Sequence, residues 1–89
     1  MKRCIVRYEG RVQGVGFRLT AVRQSTGLDV HGFVRNQPDG SVLMDVEGAT
    51  EDVRQLLDRI ELKMRGDIEA CSVEVRPVIG HSVGLKIQY

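Results

Sequence analysis

The sequence predicts an α+β domain, a two-layer sandwich in which two helices lie on one face of an antiparallel sheet. Three observations support this prediction. The 89 residues are enough for one domain of residues 1–89. Stretches of alternating apolar and polar side chains are separated by two stretches with helical spacing. The elements follow the order β, α, β, β, α, β and a short last strand, which is typical of two helices packed on one sheet face.

The first three features occupy the N-terminal third. Residues 4–9, CIVRYE, alternate and predict a half-buried strand. The glycine-rich stretch GRVQGVGFR, residues 10–18, follows it. Residues 17–26 have apolar side chains at helical spacing, and Gly27 is well suited to end that helix.

A hairpin is predicted next. Residues 28–36, LDVHGFVRN, and residues 41–48, SVLMDVEG, read as its two strands. The intervening QPDG, residues 37–40, favours a tight reversal because Pro38 fixes φ and Asp-Gly suits a turn.

The second helix is the strongest periodic signal in the chain. Within residues 50–66, TEDVRQLLDRIELKMRG, Thr50 is placed to cap the helix and Gly66 to end it. Its apolar side chains recur at helical spacing: Val53, Leu56, Leu57, Ile60 and Met64. Residues 70–77 and 83–89 predict two further strands. The complete order is that of a ferredoxin-like split βαβ sandwich.

Composition limits the possible functions. The chain has 42% hydrophobic and 28% charged residues with a net charge of +1, which describes an ordinary globular protein. This charge does not indicate a nucleic-acid partner, and no apolar stretch is long enough for a membrane span. The start, MKRCIVRYEG, lacks the apolar run of a secretion signal. We therefore expect a cytoplasmic monomer without nucleic-acid or membrane partners.

The two cysteines and two histidines form no metal-ligand pattern, so no metal site is predicted. Cys4 and Cys71 begin two strands that should be antiparallel neighbours. Their Cα atoms should therefore lie roughly 20 Å apart, too far for a disulfide. We predict free thiols packed as small core residues. His31 and His81 are isolated in the sequence and are expected on the surface or partly packed.

The glycine-rich stretch is the first candidate site. Its N–H groups, from Gln13 to Arg18, lead into a helix N-terminus and can converge on an anion. Arg18 adds a guanidinium that can contact two phosphate oxygens at once. No GK[ST] follows, so this is not a nucleotide P-loop. A tight strand-to-helix turn with a solvated arginine accounts for the same residues, and from the residues alone it is the more common explanation.

Asn36 is the second candidate. The first two strands should run parallel, which places Asn36 and the glycine-rich stretch on one rim of the sheet. Taken alone, Asn36 is more readily explained by the turn that follows it.

Two signatures together resemble the acylphosphatase family. The first, G-x-V-Q-G-V-x-F-R, is present as Gly10, Val12, Gln13, Gly14, Val15, Phe17 and Arg18. The second, G-[FYW]-V-x-N-x-x-x-G-x-V followed by five residues and a glycine, is present as Gly32, Phe33, Val34, Asn36, Gly40, Val42 and Gly48. They occur in the family's order and separation.

The resemblance implies hydrolysis of an acyl phosphate to a carboxylate and inorganic phosphate, with phosphate also acting as an inhibitor. It implies that Arg18 and Asn36 are catalytic, and that Asn36 orients the attacking water. It further implies that the phosphate binds to the loop backbone, with no cofactor and no metal. The loop residues are Gln13, Gly14, Val15, Gly16, Phe17 and Arg18.

Two alternatives to this hypothesis remain at the level of the sequence. The same topology occurs in RNA-recognition domains, but Glu9, Asp45, Glu47 and Glu74 on the outer sheet face would repel phosphates. A binding module for phosphate or carbamoyl phosphate with little turnover is the second alternative, and hydrolysis assays separate it from an enzyme.

Overall fold

The computed structural model describes all residues from Met1 to Tyr89, and its seven elements follow the predicted order. They are β1 (Lys2–Gly10), α1 (Phe17–Gln24), β2 (Val30–Asn36), β3 (Val42–Gly48), α2 (Thr50–Met64), β4 (Ile68–Arg76) and β5 (Leu85–Gln88). The ferredoxin-like prediction is confirmed. Neither helix has the length and apolar character needed to cross a membrane.

The five strands form one sheet in the order β4-β1-β3-β2-β5. Four of them are antiparallel neighbours as expected, but β5 pairs in parallel with β2, so the complete sheet is mixed. The reason is the path of the chain. The C-terminal end of β4 lies at the same end of the sheet as the start of β2. Residues 77–84 cross the sheet at that end, and β5 then starts beside Gly32.

The core lies between the sheet and the helices. Alternation along β1 buries Cys4, Val6 and Tyr8, as the pattern predicted. From α1, Phe17 packs its ring 4.8 Å from the ring of Tyr8, measured between centroids. The long helix α2 contributes four buried side chains: Val53, Leu56, Ile60 and Met64. The glycine-rich stretch is therefore anchored to the core at the start of α1.

The helix ends differ from the predictions. Thr50 is the first helical residue and Ala49 occupies the cap position, so the Thr50 hydroxyl does not cap α2. The nearby Asp52 carboxylate accepts a hydrogen bond from the backbone N–H of Asp29 at 2.8 Å. This contact connects the start of α2 to the residue before β2. Helix α1 ends at Gln24, two residues before the predicted end, because the chain tightens there into i to i+3 turns.

The cysteine prediction is partly wrong. Both thiols are free, as expected, and Cys4 is fully buried. Cys71 is exposed, because β4 is an edge strand that α2 does not cover. Cys71 pairs with Tyr8, four positions along β1 from Cys4, which corresponds to about 13 Å along the strand and not the expected 20 Å. The prediction placed Cys71 too near the start of β4.

The chain between β4 and β5 is held on the outer sheet face by buried carboxylates. Glu47 accepts the backbone N–H groups of Ile79 and Gly80, each at 3.1 Å. Asp45 accepts the Arg3 guanidinium at 2.9 and 2.7 Å, and His81 Nε2 lies 2.7 Å from the same carboxylate. These contacts fix the approach of the chain to β5.

The two histidines are partly buried, and both contact this crossing: His81 lies within it, and His31 of β2 binds its last residue. Nδ1 of His31 accepts the backbone N–H of Gly84 at 2.8 Å, and its Nε2 lies 2.6 Å from Asp29. The His81 ring packs edge-on against Phe33, with centroids 5.8 Å apart. Both histidines therefore position the chain that leads into β5.

Candidate active site

The loop between β1 and α1 needs glycine at two positions. Gly14 and Gly16 both have φ of +76°, a left-handed backbone conformation that side chains with a Cβ disfavour. Gly16 occupies the cap position immediately before α1. The spacing of glycines in the sequence is therefore explained by a backbone that turns sharply twice before it enters the helix.

The loop is anchored at both ends and exposed between them. Val12 and Phe17 are only 1% and 2% exposed, whereas Gly14, Val15 and Gly16 are exposed. The N–H of Thr20 donates to Gly16 O at 3.0 Å, which is the first backbone hydrogen bond of α1. The N–H groups that precede it, in the loop and in the first turn, thus remain available at the positive end of the helix.

Arg18 extends from the first turn of α1 toward β5. Its Nη1 donates to Gln88 O at 3.2 Å, and its guanidinium carbon lies 4.9 Å from the ring centroid of Tyr89. These two contacts hold the guanidinium beside the loop. Nε and Nη2 have no protein acceptor, so a planar pair of donors remains for an anion.

Asn36 lies at the last position of β2 and pairs with Val42 of β3. It follows the buried Val34 by two residues, so its side chain shares the helix-facing side of the sheet. A cavity of about 310 Å³ is lined by Asn36, Arg18 and the two loop glycines. The parallel orientation of β1 and β2 thus brings the two candidate regions together.

Of the remaining candidate residues, Phe17 also lines this cavity, while Gln13 and Val15 lie in the loop outside its lining. Gln13 makes a contact that was not predicted from the sequence. Its side-chain Nε2 donates to Gln37 O at 2.8 Å and to Ser41 O at 2.9 Å. The amide therefore connects the loop to the turn between β2 and β3. Long-range side-chain contacts of this kind leave no periodic signal in a sequence.

The cavity has a simple electrostatic character. Arg18 is the only charged side chain in its lining, which contains no Asp, Glu, His, Cys or Lys side chain. The polar groups that can contact a ligand here are mainly backbone N–H groups, the Arg18 guanidinium and the Asn36 carboxamide. Such a set can bind a dianion and orient a neutral nucleophile, because it supplies mainly hydrogen-bond donors and positive charge.

Comparisons with known proteins agree with the sequence signatures. The acylphosphatase family matches residues 4–87. An acylphosphatase from Geobacillus kaustophilus is 37% identical over 90 aligned positions, which cover 100% of this chain and 96% of that protein. An acylphosphatase from Salinibacter ruber is 48% identical over 59 residues, covering 66% of this chain and 62% of that protein.

A solved structure shares the fold. The crystal structure of acylphosphatase from Bacillus subtilis superposes with a TM-score of 0.87 at 23% identity, and the match covers 100% of both chains. At this identity the likeness concerns the fold. The family match extends over nearly the whole sequence, and an acylphosphatase that is 37% identical aligns over 96% of its own length. This chain therefore belongs to the acylphosphatase family.

Proposed function

We propose that this chain hydrolyses the carboxyl-phosphate bond of small acyl phosphates, releasing a carboxylate and inorganic phosphate. The proposal rests mainly on one cavity, which is lined by the loop glycines Gly14 and Gly16, by Arg18 and by Asn36. The named relatives favour hydrolysis over the alternative of a phosphate-binding module without turnover.

The phosphoryl group binds first to the backbone of the loop. Backbone N–H groups from Gln13 to Arg18 donate to its oxygens, and the positive end of α1 favours its negative charge. Nε and Nη2 of Arg18 contact two oxygens together, because the guanidinium is planar and Gln88 occupies only Nη1. This arrangement neutralises charge without requiring a side chain to move in the reaction.

Asn36 then orients the attacking water. A carboxamide has both an acceptor oxygen and two N–H donors, so it can fix the direction of a water molecule. In-line attack on phosphorus requires mainly this orientation, since phosphoryl transfer depends on positioning and electrostatic stabilisation.

The leaving group needs no proton. The pKa of a carboxylic acid is about 4, so a carboxylate is a stable product at pH 7. Expulsion can therefore proceed without a general acid, in agreement with a cavity whose lining contains no acidic side chain or histidine. We propose that the reaction uses no cofactor and no metal, and that phosphate competes with the substrate as product.

Two free thiols suit a reducing compartment, which supports a cytoplasmic location. We propose a monomer that acts on a small molecule, because every group assigned a role belongs to one chain.

Turnover of acetyl phosphate, followed by phosphate release, tests this function. Wild-type protein should catalyse many turnovers, and added inorganic phosphate should inhibit competitively. Phosphate binding without turnover would instead identify a binding module. Absence of both would show that the loop is a simple turn.

A further inference from the structure

A second cavity lies between α2 and the edge strand β4, and it shares no lining residue with the cavity at the glycine-rich loop. β4 and β5 form the two opposite edges of the sheet, so the two cavities are on different sides of the molecule. The volume of the second cavity is about 330 Å³. Small-molecule sites typically measure roughly 300 to 1,000 Å³, so this cavity is large enough for a small organic ligand.

The floor of this second cavity is apolar. Cys71 and Val73 of β4 pair with the buried Tyr8 and Val6 of β1, so they face the helix side of the sheet. Val73 is nevertheless 50% exposed, because α2 does not cover β4. Three further apolar side chains line the cavity: Leu57, Ile68 and Ala70. The floor can therefore bind the hydrocarbon part of a ligand.

Tyr8 adds one buried polar group. The residue is only 2% exposed and lines the cavity, and its hydroxyl makes no hydrogen bond within the chain. Every side-chain oxygen or nitrogen that is closed off from solvent has a partner, so the small exposed part of Tyr8 includes its hydroxyl oxygen. A buried tyrosine hydroxyl usually has a hydrogen-bond partner. Here it opens into the cavity with its donor and acceptor both unused.

The Tyr8 hydroxyl also stays neutral. Burial raises the pKa of Tyr8 well above its usual value, and the nearby Cys71 and Glu61 raise it further. The oxygen therefore keeps its proton at pH 7 and can accept a hydrogen bond from a ligand without carrying charge.

The rim of the cavity is acidic. Its charged side chains are three carboxylates and one guanidinium: Asp58, Glu61, Glu69 and Arg65. Asp58 is paired with Arg54 at 2.8 Å. Glu61 and Glu69 have no ion-pair partner in the chain. Arg65 is exposed at the C-terminal end of α2, so its guanidinium is free to point into solvent. The rim therefore favours a cation.

We propose that this cavity binds a small organic ammonium ion with an apolar body. The body lies on the apolar floor, and the ammonium group donates to the Tyr8 hydroxyl oxygen beside Glu61 and Glu69. Glu61 and Glu69 repel an anion such as an acyl phosphate, so the ligand differs in class from the proposed substrate. The inference is independent of the proposed function.

Three probes with the same ring and similar size test the charge: 2-phenylethylammonium, 2-phenylethanol and phenylacetate. Titration followed by backbone NMR should show 2-phenylethylammonium binding about tenfold or more tightly than phenylacetate, with shifts in α2 and β4. Cys71 gives a second, local readout, because it is the exposed thiol and Cys4 is fully buried. Saturating 2-phenylethylammonium should slow the alkylation of Cys71 by iodoacetamide.

Two variants test the named contacts. Tyr8→Phe removes only the hydroxyl and should weaken binding of 2-phenylethylammonium about tenfold. It should not lower the urea midpoint, because the hydroxyl has no partner within the chain. Glu61→Gln should also weaken binding, since it removes a negative charge. The matched control is Glu74→Gln, at an exposed glutamate of β4 that does not line the cavity, and it should bind as the wild type does.

Equal affinity for the three probes, or unchanged affinity in both Tyr8→Phe and Glu61→Gln, would overturn the site. A lower urea midpoint in Tyr8→Phe would show that the hydroxyl serves the fold, and would also count against it. If alkylation of Cys71 slows as the protein concentration rises but not with the probe, a second copy of the chain covers β4 and the proposal is wrong. Turnover of acetyl phosphate is measured separately, and none of these results decides it.

Discussion

Gln13 and Gln37 are 24 positions apart, yet the side-chain amide of Gln13 donates to the backbone carbonyl of Gln37 at 2.8 Å. The same nitrogen donates to Ser41 O at 2.9 Å. These carbonyls belong to the ends of the turn that follows Asn36. One side chain thus connects the glycine-rich loop to the strand end that carries Asn36, the two parts of the proposed site.

Loss of this connection should affect turnover more than phosphate binding. Gln13→Ala removes two hydrogen bonds, each worth about 1 kcal/mol, and lets the loop and the turn move independently. We expect kcat to fall about tenfold or more, because small displacements are costly in positioned reactions. Gln13→Glu should be worse, since a carboxylate cannot donate to the two carbonyls. Unchanged kcat in both variants would show that the connection has no catalytic consequence.

Arg18→Ala should remove most turnover and weaken inhibition by inorganic phosphate. Removal of one preorganised donor costs on the order of 10² to 10³ in rate, and in the proposed mechanism Arg18 also binds the ground state. Arg18→Lys should not restore activity, because an ammonium group cannot form the planar pair of hydrogen bonds. Arg23→Ala, at an exposed arginine of the same helix, is the control. Activity near that of the wild type in either Arg18 variant would contradict the proposed role of Arg18 in the site.

Asn36→Ala should lower kcat far more than it raises KM. In the proposed mechanism the amide acts on the attacking water, so its contribution should appear in the transition state and not in substrate binding. Phosphate should therefore inhibit with nearly unchanged affinity. Steady-state kinetics with phosphate as inhibitor measure both quantities. If phosphate affinity falls as much as kcat, Asn36 is a phosphate-binding group.

Stability should fall in acid through the carboxylates on the outer sheet face. Burial opposes the ionisation of Asp45, but hydrogen bonds from Arg3 and His81 outweigh it and hold its pKa below the usual value. Burial likewise opposes ionisation of Glu47, whose pKa is held low by the backbone N–H groups of the crossing segment. Carboxylates with a lowered folded-state pKa stabilise the fold above the unfolded value of about 4, and this contribution disappears as the pH falls through the folded value.

Urea unfolding at pH 7 and at pH 2.5 measures this effect. The wild-type midpoint should fall in acid. Asp45→Asn should be less stable at pH 7 and should lose less on acidification, whereas Asp58→Asn, on the exposed face of α2, serves as the control. Equal acid sensitivity in the wild type and in Asp45→Asn contradicts the role given to this carboxylate.

Local patterns predict much of this molecule. Alternation located the strands, and helical spacing located α2, because burial on one face leaves a period in the sequence. The proximity of Asn36 to the glycine loop also followed from topology, since parallel strands end on the same side. The exposure of Cys71 and the capping role of Thr50 were predicted wrongly. The capping position depends on the residue at which α2 begins, and the exposure of Cys71 depends on how far α2 covers the edge strand β4. Neither property can be predicted from a local sequence pattern.

Contacts between distant segments were not predictable either. The donation from Gln13 to the hairpin turn and the parallel pairing of β5 both depend on the path of the chain across the sheet. That path is set by buried carboxylates such as Glu47, which in the sequence look like ordinary outer-face charges. The partners of Glu47 are backbone N–H groups, which every residue except proline carries, so the sequence offers no distinguishing signal for this contact.

We propose that the site expels a carboxylate without a proton donor or a metal. An alkoxide leaves far less readily, because its conjugate alcohol is a much weaker acid, and each uncompensated pKa unit adds some fraction of about 1.4 kcal/mol to the barrier. The direct measurement is turnover of acetyl phosphate and of ethyl phosphate at equal concentration, with and without a chelator. We predict rates that differ by several orders of magnitude and no effect of the chelator. Comparable rates on both compounds, or loss of acetyl phosphate turnover in the chelator, would contradict the account.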